Sequence, residues 1–91
     1  MMLDLYGVDA LRELCGTSLG TTEWHHVDQR TISYFAAVAG DIEQLHLDPE
    51  VAAGYGLDST IAHGLFTLAL GAKFLQELYR MEGHSRVLNY G

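Results

Sequence analysis

Ninety-one residues hold one small domain at most, because a chain this short buries only a modest share of its surface. Hydrophobic residues make up 48% and charged residues 19%, which excludes a disordered chain. With 5 Lys+Arg against 12 Asp+Glu, the formal net charge of −7 repels phosphate backbones and anionic headgroups, so neither nucleic acid nor a membrane surface is an expected partner.

The N-terminal run MMLDLYGVDA has neither a basic region nor an apolar one, so no secretory signal is read. Val8 to Cys15 places Leu11, Leu14 and Cys15 at helical spacing and stops at Gly16, which suits the residue after a helix. Cys15 is the chain's single cysteine, so it has no internal disulfide partner, which fits a reducing compartment and a cytoplasmic protein. Thr21 to Val27 is rich in β-branched and aromatic residues and predicts a short strand. His25 and His26, on opposite faces of that strand, read as surface residues. Asp28 is a good N-cap for a helix through about Ala39, with Ile32, Phe35, Ala36 and Ala39 as its apolar stripe and Gly40 as its stop. Trp24, Tyr34 and Phe35 are most simply core or dimer-contact aromatics.

A loop from Gly40 to Leu47 follows. Asp48-Pro49 then reads as N-cap and first residue of a short helix to about Ala53, and Gly54 to Ser59 as a turn. The longest helix is predicted from about His63 to Met81. Its first three turns are apolar around nearly the whole circumference, and such a helix belongs inside something. Gly64 and Gly71 lower its intrinsic stability but permit close approach by whatever wraps it. The apolar stretch Ile61–Leu75 is interrupted by His63 and Lys73 and is too short to span a bilayer. Arg86 to Tyr90 reads as the start of a strand. No repeat, low-complexity tract or linker divides the chain, so residues 1–91 are taken as a single, partial domain.

The run Phe35 to Pro49, in which a helix ends in Gly40-Asp41 and His46 follows five residues after the aspartate, resembles the signature of MaoC-like hydratases. Ile61-Ala62-His63-Gly64, opening a long apolar helix, resembles that family's second signature. Val87 to Gly91 is similar to the strand after the central helix in its NodN-like branch. The resemblance covers about Thr21 to Gly91. It implies an α+β hotdog fold, in which a curved antiparallel sheet wraps a long central helix, and a homodimer whose acyl tunnel is partly lined by the second subunit.

It implies chemistry as well. Asp41 and His46 would hold one water and direct it at C3 of a trans-2-enoyl thioester, most simply a coenzyme A ester of fatty acid metabolism, while a proton goes to C2. A coupled pair titrates as a unit, so base and acid are not assigned individually. Backbone N–H groups around His63 and Gly64, orphaned at a helix start with the positive end of the dipole behind them, would stabilise the thioester oxygen. Leu45, Ile61 and Phe66 are acyl-pocket candidates, and no cofactor is implied.

Two departures qualify the match. Glu43-Gln44 stand where the best-known hydratases have Asn-Pro, which points to the NodN-like branch and leaves the substrate open; Glu43 is expected to face solvent. The hotdog sheet also needs several strands after the central helix, where this chain offers one, so a C-terminally truncated chain or fragment is expected. Cationic groups for coenzyme A phosphates would then lie in the missing strands.

Simpler readings stand beside these. Asp41 could be a turn aspartate bonding its own backbone, His46 a satisfied loop histidine, and His63 a wall residue contacting the loop. A metal set of His46, Asp48 and His63 matches no known ligand spacing, so no metal is expected. Ser59 and Thr60 lack a nucleophile elbow. The competing functions are a non-catalytic remnant or interaction module, and a hotdog thioesterase. The last would place a carboxylate on or beside the central helix, where this chain has His63 and Gly64.

Overall fold

Leu3 to Tyr6 alternates half-buried and exposed residues and forms strand β1 (Leu3–Tyr6) in the computed structural model, which describes residues 2–88. Its partner is β2 (Tyr79–Glu82), with the same alternation. The two strands pair in parallel, Leu3 opposite Tyr79 and Leu5 opposite Met81. Leu3, Leu5, Tyr79 and Met81 therefore share the more buried face, as a period of two requires. On the other face the Arg80 guanidinium lies 3.9 Å from the Asp4 carboxylate. Both groups are exposed, so the pair fixes register more than it stabilises.

The ladder extends one step further, where Gly7 N–H donates to Glu82 O at 2.8 Å. Gly83 closes this corner at φ 74°, and a Cβ there would lie 3.2 Å from Gly7 N and 3.3 Å from the Tyr6 ring. Both its backbone conformation and its surroundings call for glycine. After β1 comes α1 (Val8–Arg12), which ends in i→i−3 turns through Thr17.

These elements belong to one of two compact units, made of the residues up to Glu23 and from Ala72 onward; Trp24–Gly71 form the other. The second unit begins with α2 (Gln29–Ala39). The Asp28 carboxylate accepts from Thr31 N–H at its N-terminus, and Gly40 ends it in the left-handed region at φ 75°. A 3₁₀ turn (Gln44–His46) precedes α3 (Pro49–Gly54), which Asp48 caps by accepting from Glu50 N–H. The long helix α4 (Gly64–Leu78) starts in this unit and supplies its last turns to the other. Among the described residues, Ile32, Ala36, Ala52, Phe66 and His63 are buried.

The α+β class stands, and several finer expectations need correction. The only sheet among the described residues is a parallel pair rather than an antiparallel wrap. Its strands are joined by a connection carrying four helices, and parallel pairing needs a long crossover of that kind. The long helix stops at Leu78 and not Met81, because Tyr79 and Met81 are taken into the pairing with β1. Thr21–Val27 forms no strand: no ladder partner meets it among the described residues, so β propensity alone leaves it irregular. Of the two readings given to Trp24 and Tyr34, core residue does not hold, since both are exposed. The strand expected over 86–90 is absent from 86–88, and its remainder lies outside the described residues. His25 and His26 are exposed, as read from the sequence.

Along α4, only Phe66 is buried. Leu65 and Leu68 are 69% and 73% exposed. A Cβ added at Gly64 or Gly71 would meet nothing within 4 Å. The described residues therefore leave this apolar helix largely uncovered.

Candidate active site

Gly40 sets up the site. Its left-handed backbone turns the chain sharply at the end of α2 and delivers Asp41, exposed, just beyond the last helical residue. The Asp41 carbonyl then accepts a hydrogen bond from Nε2 of His63, at 3.0 Å. His63 is 1% exposed and sits immediately before α4. The Phe35 ring lies 4.9 Å from it and itself stacks on Phe66 at 5.3 Å. Packing of α2 on α4 through these aromatic rings thus holds the imidazole that pins Asp41.

His46, at the end of the 3₁₀ turn, is half-buried. Its Nδ1 lies 2.7 Å from Ile61 O. A carbonyl only accepts, so Nδ1 must carry the proton, and the neutral ring keeps its lone pair on Nε2. By the same reasoning His63 has its proton on Nε2 and its lone pair on Nδ1, which is buried without a partner among the described residues. The two rings stack with centroids 3.9 Å apart and planes 26° from parallel.

Asp41, His46 and His63 come together closely: a carboxylate oxygen of the first and one nitrogen of each ring lie within 4.8 Å of one another. The chemistry does not suit a shared metal ion. An imidazole ligates in its own plane at about 2.0–2.1 Å, and two stacked rings only 26° from parallel do not aim in-plane lone pairs at one point. Water suits the spacing better. Two hydrogen bonds of about 2.8 Å meeting at a tetrahedral oxygen put their far ends about 4.6 Å apart.

Gly64 opens α4, where the first amides have no carbonyl ahead of them in the helix, and the space over its Cα is free. Of the acyl-pocket candidates, Ile61 and Leu45 flank His46. Ile61 supplies the carbonyl to its ring, and Ile61 N–H donates to Leu45 O at 3.4 Å. Phe66, the third candidate, is buried and stacks on Phe35. Glu43 faces solvent, and Asp48 is occupied as the α3 cap. Gln29 escaped the sequence reading: its side chain reaches both the 3₁₀ turn and Thr60. A shallow, open depression at the start of α2, lined by Asp28, Arg30, Thr31, Ser33 and Tyr34, includes none of the candidate site residues.

The arrangement can now be compared with known proteins. Residues 11–91 match the MaoC like domain. The chain belongs to the MaoC-like family. It is 36% identical over 81 residues to 3-hydroxyacyl-thioester dehydratase Z of Mycobacterium tuberculosis, a match covering 89% of this chain and 54% of that one. It is 40% identical over 78 residues to nodulation protein N of Rhizobium leguminosarum, covering 84% of this chain and 48% of the relative. Nodulation protein N of Rhizobium meliloti is 43% identical over 58 residues, covering 63% and 36%. The MaoC-like chain thus spans about half the length of these relatives. Among the described residues no helix is long and apolar enough to cross a membrane.

Proposed function

We propose that this MaoC-like chain carries the water-activating part of an (R)-specific hydratase acting on trans-2-enoyl thioesters, set on an incomplete hotdog. The observation that supports this best is the His46 tautomer. With Nδ1–H held by the Ile61 carbonyl, Nε2 is the one ring nitrogen able to accept a proton from water. An Asp41 carboxylate oxygen also lies within 4.8 Å of a His46 ring nitrogen, a span that one water can bridge.

In hydration the water oxygen bonds to C3 as the C2–C3 double bond opens, electron density moves onto the thioester oxygen, and C2 takes up a proton. Asp41 and His46 together accept the water's proton and deliver one to C2; the reverse sequence dehydrates a 3-hydroxyacyl thioester. Negative charge on the thioester oxygen is met by the amides at His63 and Gly64, at the start of α4. Gly64, with free space over its Cα, lets that oxygen approach. Leu45 and Ile61 flank the reacting carbons. The carrier most compatible with this chemistry is coenzyme A, and a homodimer would complete the acyl tunnel.

The test is the loss of enoyl absorbance with a short trans-2-enoyl-CoA. Asp41→Asn and His46→Ala should each lower turnover by about 10²- to 10⁴-fold. Release of free thiol instead would indicate a thioesterase. The uncovered Leu65 and Leu68 favour a second reading, a folded but inactive module. Folded wild-type chain without hydration would select that reading.

A further inference from the structure

Gln29, the first residue of α2, makes more of the site's connections than its place on an exposed helix end suggests. Its Nε2 donates to the His46 carbonyl at 2.9 Å and to Ser33 Oγ at 3.1 Å. Its Oε1 accepts from Thr60 Oγ1 at 2.5 Å. One amide thus ties α2 to two segments that must stay in register, the 3₁₀ turn carrying His46 and the stretch Thr60–Ile61 whose carbonyl fixes the His46 ring. An uncharged amide can donate to one and accept from the other at once.

We infer that Gln29 is a positioning residue for the hydratase reaction: by clamping His46 O and Thr60 Oγ1 it holds Ile61 O against His46 Nδ1, and so keeps Nε2 as the acceptor toward water. The inference rests on the function proposed above. Gln29 itself does not reach the reacting atoms. Its hydrogen bonds are exposed, so water can replace them with little change in stability. Water cannot replace their geometry, and small misplacements of a catalytic group are costly in rate.

Gln29→Met removes the whole clamp without adding charge, and Gln29→Glu keeps an acceptor for Thr60 while losing the donors. Thr60→Val breaks the other arm, and Thr60→Ser preserves its hydroxyl. With a short trans-2-enoyl-CoA, Gln29→Met and Thr60→Val should lose about 10- to 100-fold in kcat, with KM within about twofold of wild type and the melting temperature nearly unchanged. Thr60→Ser should restore most of what Thr60→Val loses.

Ring ¹⁵N shifts of His46 give a readout independent of turnover. The wild-type chain should show the Nδ1–H tautomer, and Gln29→Met a mixture of tautomers. Wild-type turnover together with wild-type His46 shifts in Gln29→Met would overturn the positioning role and leave the hydratase proposal standing. If the folded wild-type chain shows no hydration, the hydratase proposal fails for it. The ring shifts still decide, since an unchanged tautomer in Gln29→Met overturns the clamp.

Discussion

His46 and His63 each surrender one ring nitrogen to a backbone carbonyl, and this decides what the other nitrogen can do. For His46 the remaining lone pair belongs to a half-buried ring beside Asp41, which suits proton transfer. For His63 it is buried and has no partner among the described residues, so the side chain's contribution runs through Nε2–H to the Asp41 carbonyl. His63→Phe should keep the contact with Phe35 while losing that hydrogen bond, at a cost of about 0.5–1.5 kcal/mol in urea unfolding. His63→Gln, whose amide can reach the same carbonyl, should recover part of the loss. Asp41 and His46 were legible as a pair only through the resemblance to the MaoC-like signature, since spacing alone reads as a turn aspartate and a loop histidine. Gln29 was not legible. Its partners lie 17 and 31 positions away, and nothing but its i,i+4 relation to Ser33 marks it in the sequence.

At the scale of elements, local rules fixed the positions that matter most to the site. Gly40 is left-handed with open space around it, so Gly40→Ala should cost the backbone strain of that conformation alone, about 1–2 kcal/mol in chemical denaturation. It should also disturb Asp41, the next residue. At the opposite end of α2, hydrogen bonds from the Thr31 hydroxyl and then the Thr31 amide hold the Asp28 carboxyl below its usual 3.8. A folded-state value below the unfolded one contributes stability that is complete above the unfolded value and lost as pH falls through the folded value. The stability difference between wild type and Asp28→Ala should therefore be constant above about pH 5 and shrink steadily on further acidification.

The caps at Asp28, Gly40 and Asp48 and the start of α4 were all readable from short-range chemistry. The end of α4 was not, because Tyr79–Glu82 is compatible with helix until β1 competes for it. Thr21–Val27 failed in the opposite sense, with strand composition but no neighbouring ladder.

For the whole molecule, charge sets an expectation that fold does not. A chain of net charge −7 opposes a ligand bearing several phosphates. KM for an enoyl-CoA should accordingly fall as ionic strength rises and repulsion is screened, whereas KM for the matching phosphate-free pantetheine thioester should stay constant. A KM for the coenzyme A ester that rises with salt would mean that cationic groups near the site outweigh the overall charge. The apolar circumference of α4 was visible in the sequence as a helix needing a wrapper, and Leu65 and Leu68 are exposed where that wrapper would lie.

The parallel pairing of β1 with β2 also bears on the order of folding. Leu3 must find Tyr79 across roughly 75 intervening residues, and closing so long a loop has to precede any return from the ladder. The helices, caps and turns between Trp24 and Gly71 draw on much nearer partners, and Asp41, His46, His63 and Gly64 all fall within that stretch. The candidate site can therefore assemble early, with the joining of the strands left as a late, separable event.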